Sequence, residues 1–173
     1  MPNLTNALRA VTAAALMGSF AFAGAATATA DPNTGGSADI NTLASSLSKG
    51  YGLNNCTPQN LTAGELAALT CGQSPDPSGP VLAKYVLFGN SGDLTSMFTH
   101  SINEDVLANC GDAKSPNVWH QGSSADTAGR MACGTYQNQA EIIWTTDTKS
   151  VLSYIRASNG DVPSLYQWWR ANG

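Results

Sequence analysis

The chain has 173 residues, 8 of them basic and 12 acidic, with a formal net charge of −4. That length suits one ordinary domain once a leader is set aside. An acidic balance without clustered Lys or Arg excludes nucleic acid as a partner, and the lack of a polybasic run argues against a membrane-surface role.

Residues 4–30 carry one basic side chain, Arg9, followed by an uncharged stretch that ends in Ala28-Thr29-Ala30 before Asp31-Pro32. This layout predicts a signal peptide over residues 1–30, cleaved after Ala30. Gly18, Ser19 and Gly24 interrupt the run and no cationic stop follows it, so a membrane span is not expected. The expected product is secreted, with no stable membrane insertion after cleavage. Residues 31–38 read as a flexible tail and residues 39–173 as a single domain.

Ile40, Leu43, Leu47 and Tyr51 recur at helical spacing, and Gly50 and Gly52 end the pattern. Thr62-Ala63-Gly64-Glu65 has the form of a capping box and predicts a second short helix through Leu66 and Leu69. A proline- and glycine-rich loop over residues 72–80 precedes a strand at 81–88. Ser91 then reads as the cap of a long helix to about Asn109, with Leu94, Phe98, Ile102 and Val106 in one apolar row. Residues 111–129 read as a long loop. Strands follow at 131–136, 141–145 and 151–157, the last two joined by a turn around Asp147. Asp161 caps the terminal helix, which has Pro163 in its first turn. The expected fold is α+β, an antiparallel sheet of about four strands with helices packed mainly on one face.

Cys56, Cys71, Cys110 and Cys133 all follow the expected cleavage site, and an even number in an oxidising compartment reads as two disulfides. Four cysteines permit three connectivities. Proximity along the chain favours Cys56 with Cys71 and Cys110 with Cys133. Their spacings do not suit zinc.

Candidate chemistry is sparse. Gly89-Asn90-Ser91-Gly92-Asp93 has a glycine-flanked serine, but His100 and His120 both follow it, unlike the order in trypsin-like proteases. His100 and Glu104 are helical neighbours expected on a solvated face. Glu104 and Asp105 diverge by about 100° on a helix, which does not suit a pair acting across one bond. No phosphate loop, dinucleotide fingerprint or H-E-x-x-H motif occurs, and no cofactor or metal is expected. In Ser164–Gly173, "SLYQWWRANG", Val162, Leu165 and Trp169 share one stripe and Trp168 lies at its edge. Trp169 is therefore expected to close the core, with Trp168 partly exposed. Trp119, His120, Trp144 and Trp168 are the candidate ligand-binding residues. The alternative is a small hydrolase built from Ser91, His120 and a carboxylate.

Cys71-Gly72 before Asp76-Pro77-Ser78-Gly79-Pro80, the strand Tyr85-Val86-Leu87-Phe88, Asn109-Cys110, Trp119, Cys133-Gly134, Trp144-Thr145-Thr146-Asp147 and the final Leu165-Tyr166-Gln167-Trp168-Trp169 together carry a resemblance. The chain resembles a family of small exported mycobacterial proteins, similar to the extracytoplasmic C-terminal domains of some serine/threonine protein kinases. The resemblance runs from about Cys56 to the end and implies a non-catalytic, ligand-sensing domain whose partner is an unknown ligand or cell-envelope component. This chain has no kinase domain, so a signalling role does not carry over with the likeness.

Overall fold

The computed structural model describes residues 33–173; the expected signal peptide and its cleavage site lie outside the described residues. The elements run α1 (Ser37–Ala44), β1 (Cys56–Pro58), β2 (Glu65–Cys71), β3 (Leu82–Phe88), α2 (Ser91–Ser101), β4 (Val106–Ala108), β5 (Asn117–His120), β6 (Thr127–Tyr136), β7 (Gln139–Thr146), a single 3₁₀ turn (Asp147–Lys149), β8 (Val151–Arg156) and α3 (Val162–Asn172). The strands form one antiparallel sheet in the order β1-β2-β3-β8-β7-β6-β4, with β5 also paired to β6.

The sheet therefore has eight strands, not about four. The four expected from sequence are β3, β6, β7 and β8, the long ones rich in β-branched and aromatic residues. The other four are β1, β2, β4 and β5, and each was hidden for a local reason. The segment expected as a second helix is β2. Its motif does close, because the Thr62 amide donates to Glu65 Oε2 at 2.7 Å. Gly64 sits at φ +89°, however, so the motif makes a turn into an extended strand rather than a first helical turn. Pairing on both sides and the Cys56–Cys71 disulfide hold β2 extended, overriding the helix propensity of Glu65-Leu66-Ala67-Ala68-Leu69.

The long helix also ends early. α2 stops at Ser101, and the expected continuation becomes a turn followed by β4, whose Val106 is 74% exposed rather than in an apolar row. β4 pairs with residues 133–135 of β6, and the Cys110–Cys133 disulfide fastens that edge. The cap of α2 is Asn90, whose side chain accepts from the Asp93 amide at 2.9 Å, not Ser91, which is the first helical residue. Asp161 caps α3 as expected, accepting from the Ser164 amide at 3.0 Å. Both expected disulfide pairs are present.

The helices divide between the two faces instead of sharing one. Alternation along the strands sends Leu69, Tyr85, Met131, Ile142, Trp144 and Ile155 toward α1 and α3, forming the larger core. Ala132, Ile143 and Leu152 point the other way, onto Leu94 and Phe98 of α2. The central strand β7 is consequently buried on both sides. Its hairpin with β6 turns through Gln137 and Asn138, both at positive φ, as a two-residue connection matching the twist of the strands requires.

Trp169 closes the larger core, 8% exposed, but Trp168 is just as buried at 6%. The 72–80 loop covers the edge of the stripe. There Asp76 Oδ2 accepts from the Trp168 indole N–H at 3.0 Å, so the ring is taken out of solvent without losing its hydrogen bond. Trp119, Trp144, Trp168 and Trp169 join Tyr51, Tyr85 and Tyr166 in a chain of ring contacts 5.5–6.5 Å between centroids, mostly edge to face.

Candidate functional site

Among the cavities of the described residues, one lies on each face of the sheet beside groups of polar side chains. The first lies between β5 and the end of α3, a space of about 460 Å³ whose lining includes Asn117, Trp119, His120, Tyr166, Trp169 and Arg170. Its position follows from strand pairing: β5 sits on the outer side of β6, and α3 crosses the same face of the sheet. Trp119 opposes Gly129 in the β5–β6 register, and its indole N–H donates to the Thr145 carbonyl of β7 at 2.7 Å. A Cβ at residue 129 would stand 2.0 Å from that same carbonyl oxygen, so only glycine leaves room for this approach. Trp119 then meets Trp169 edge to face at 5.5 Å, while Tyr166 stacks on Trp169 at 5.8 Å.

His120 borders the same space. Its Nδ1 lies 3.0 Å from the Asp126 carbonyl. A carbonyl only accepts, so Nδ1 carries the hydrogen of this bond. Five buried side-chain polar atoms among the described residues lack a hydrogen-bond partner, and two of them, Asn117 Oδ1 and Trp169 Nε1, belong to this lining. One requires a donor and the other an acceptor. Both atoms lie behind the wall rather than open on it: a Cβ at Gly173 would stand 2.5 Å from Trp169 Nε1.

The second cavity, about 360 Å³, lies on the α2 face, with Val86, Met97, Ile143 and Leu152 around a cluster of charge. Glu141, only 3% exposed, accepts from both Arg156 and the Tyr154 hydroxyl. The Arg156 guanidinium also stands 5.4 Å from the ring centroids of Tyr136 and Tyr154. Asp105, in the turn before β4, brings a second carboxyl against Glu141. Burial, then the Glu141 charge, push its pKa up to about 6. Burial, with Glu141 as acceptor, likewise holds the Tyr154 phenol well above its ordinary value. This arrangement keeps Asp105 protonated into mildly acidic pH.

Of the residues singled out in the sequence, Trp119 and His120 meet at the first cavity. Trp144 lies beneath it, buried at 3% and 5.9 Å from Trp169, and Trp168 is turned toward Asp76. Ser91 opens α2 on the opposite face from α3; it shares neither a hydrogen bond nor a cavity lining with His120. His100 sits in the last turn of α2, but Glu104 is past the helix, so the two are not helical neighbours. Sequence reasoning missed Asn117, Tyr166 and Arg170 at the first cavity and Glu141, Tyr154 and Arg156 at the second. The last three carried a signal: a lone Glu inside the apolar run 140–144, opposite an Arg in the next strand, where the register indeed pairs Glu141 with Arg156.

Among the described residues, no three His, Cys, Asp or Glu side chains group to hold a metal ion, and no helix is long and apolar enough to cross a membrane. No protein-family model, curated protein or solved structure matches the chain.

Proposed function

We propose that this protein is an exported, non-catalytic binding domain whose site is the cavity between β5 and α3. One observation carries the reading: the packed rings of Trp119, Tyr166 and Trp169 wall a cavity of about 460 Å³ that Asn117, His120 and Arg170 line with polar groups. The two disulfides support an oxidising compartment, in keeping with the leader expected at residues 1–30. The resemblance to extracytoplasmic kinase domains supports a sensing or binding role in the cell envelope. The hydrolase alternative draws no support from the placement of Ser91 and His120 on different faces.

The test is a titration of the purified protein with glycan, peptide and lipid fractions of cell envelope, followed by tryptophan fluorescence. A saturable change that Trp119→Ala weakens at least tenfold, with the variant still folded, is expected. Saturation unaffected by Trp119→Ala would move the site elsewhere, and no saturable change with any fraction would remove the binding reading.

A further inference from the structure

We infer that the cavity under α2 is a second binding site, for a primary ammonium group carried on an apolar body. It lies on the other face of the sheet from the β5–α3 cavity and is independent of it. The site is built around one atom. Tyr154 and Arg156 both donate to Oε1 of Glu141, and Oε2 accepts no hydrogen bond from an N–H or hydroxyl of the described residues. Glu141 is 3% exposed and lines the cavity, yet Oε2 is not sealed as Asn117 Oδ1 and Trp169 Nε1 are. A buried carboxylate oxygen without a donor is costly, and a ligand in the cavity can supply one.

Charge around that atom points to a cation. Four carboxyls border the cavity, from Glu65, Glu104, Asp105 and Glu141, against two basic groups, Lys84 and Arg156. Arg156 is committed to Glu141, with its guanidinium 5.4 Å from the ring centroids of Tyr136 and Tyr154. Lys84 is exposed and makes no ion pair among the described residues. α2 contributes Met97 and Ser101, neither of them charged. An incoming ammonium brings three N–H donors, enough for Asp105, Glu141 Oε2 and Glu104 at the rim. Val86, Met97, Ile143 and Leu152 give the apolar floor for its body, and about 360 Å³ suits a small organic molecule. A bare metal ion fits less well, since among the described residues no three His, Cys, Asp or Glu side chains group to hold one.

The Asp105 proton and the ammonium compete for the same pair of carboxyls. Asp105 titrates near 6, so about one molecule in ten has it ionised at about pH 5 and nearly all do at about pH 7.5. Affinity for the ammonium should therefore rise about tenfold between those two values.

The experiment follows the ring resonances of Tyr136 and Tyr154 and the indole resonances of Trp119 and Trp169 in the full protein. Phenylbutylamine, phenylbutanol and N-acetyl-phenylalanyl-lysine amide are added in turn at about pH 7.5. The amine is expected to shift both tyrosines saturably, to bind at least tenfold tighter than the alcohol, and to leave both tryptophans in place. Its affinity should fall about tenfold at about pH 5. Asp105→Asn holds that side chain neutral and keeps every other titrating group. It should bind the amine at about pH 7.5 as weakly as the native protein does at about pH 5, with no further change between them. Peptide binding within threefold of the amine would support the site with a lysine side chain as the source of the ammonium; much weaker peptide binding would support it with a free amine as the source. Equal binding of amine and alcohol would overturn the charge assignment, and an undiminished pH dependence in Asp105→Asn would overturn the role of the carboxyl pair. Tryptophan shifts in place of tyrosine shifts would put the amine in the β5–α3 cavity and overturn the second site. No shift at the tyrosines with any probe would remove it and leave the β5–α3 reading standing.

Discussion

Replacing Asp105 with Asn should stabilise the protein at neutral pH and leave it unchanged in acid. The Asp105 carboxyl titrates near 6 in the fold against an ordinary value of 3.8, chiefly through burial and the neighbouring Glu141 charge. A carboxyl whose folded pKa is raised binds its proton more tightly folded than unfolded. Its contribution is therefore fully favourable below about pH 4 and is lost as pH rises through 6. A shift of about two units corresponds to about 3 kcal/mol at 1.36 kcal/mol per unit. Asp105 is only half-buried, so solvent screening reduces the expected cost to about 1 kcal/mol. Asn keeps the neutral form at every pH, and the difference between the two proteins cancels the titration of groups that do not interact with Asp105. Urea midpoints measured from about pH 4 to pH 8 should coincide at the acid end and separate by about 0.5 M above pH 6, for a slope of about 2 kcal/mol/M. A variant equally stable at all pH values, or less stable at pH 7, would refute the placement of Asp105 against Glu141.

Trp168→Ala and Trp169→Ala should each cost about 3–5 kcal/mol by urea midpoint, since both rings are buried. Trp168→Phe, which keeps most of the packing and loses the bond to Asp76, should cost about 1 kcal/mol for the hydrogen bond plus a smaller packing loss. Gly129→Ala should cost about 1–3 kcal/mol and displace the Trp119 indole resonance, because the added methyl meets the Thr145 carbonyl. Replacing Cys56 and Cys71 together by Ala should cost about 3 kcal/mol for a 15-residue span, and non-reducing peptide mapping should recover the Cys56–Cys71 and Cys110–Cys133 pairs.

What was legible in the sequence was whatever depends on neighbours along the chain. The Asp161 cap, the hairpin strands β6 and β7, the adjacent cysteine pairs and the burial of Trp169 all belong to that kind. What was not legible depends on distant pairing. Glu65–Cys71 has helix-forming residues and a capping motif, and becomes a strand only because β1, β3 and a disulfide hold it. Val106–Ala108 and Asn117–His120 are too short to show a period and exist because β6 offers them an edge. Trp168 was misplaced because helix phase says nothing about a loop ninety residues earlier that folds over it. The candidate site was half visible: Trp119 and His120 were named, but Asn117, Tyr166 and Arg170 join them only once α3 crosses the sheet beside β5.

The central claim is that the envelope ligand enters the β5–α3 cavity and not the acidic cavity under α2. Indole resonances observed while binding-competent envelope material is titrated into the full protein test this most directly. Trp119 and Trp169 should move together, while Trp168, tied to Asp76 away from the cavity, should stay in place. Saturable binding that leaves Trp119 and Trp169 unmoved, with changes instead at Tyr136 and Tyr154 beside Glu141, would contradict the account.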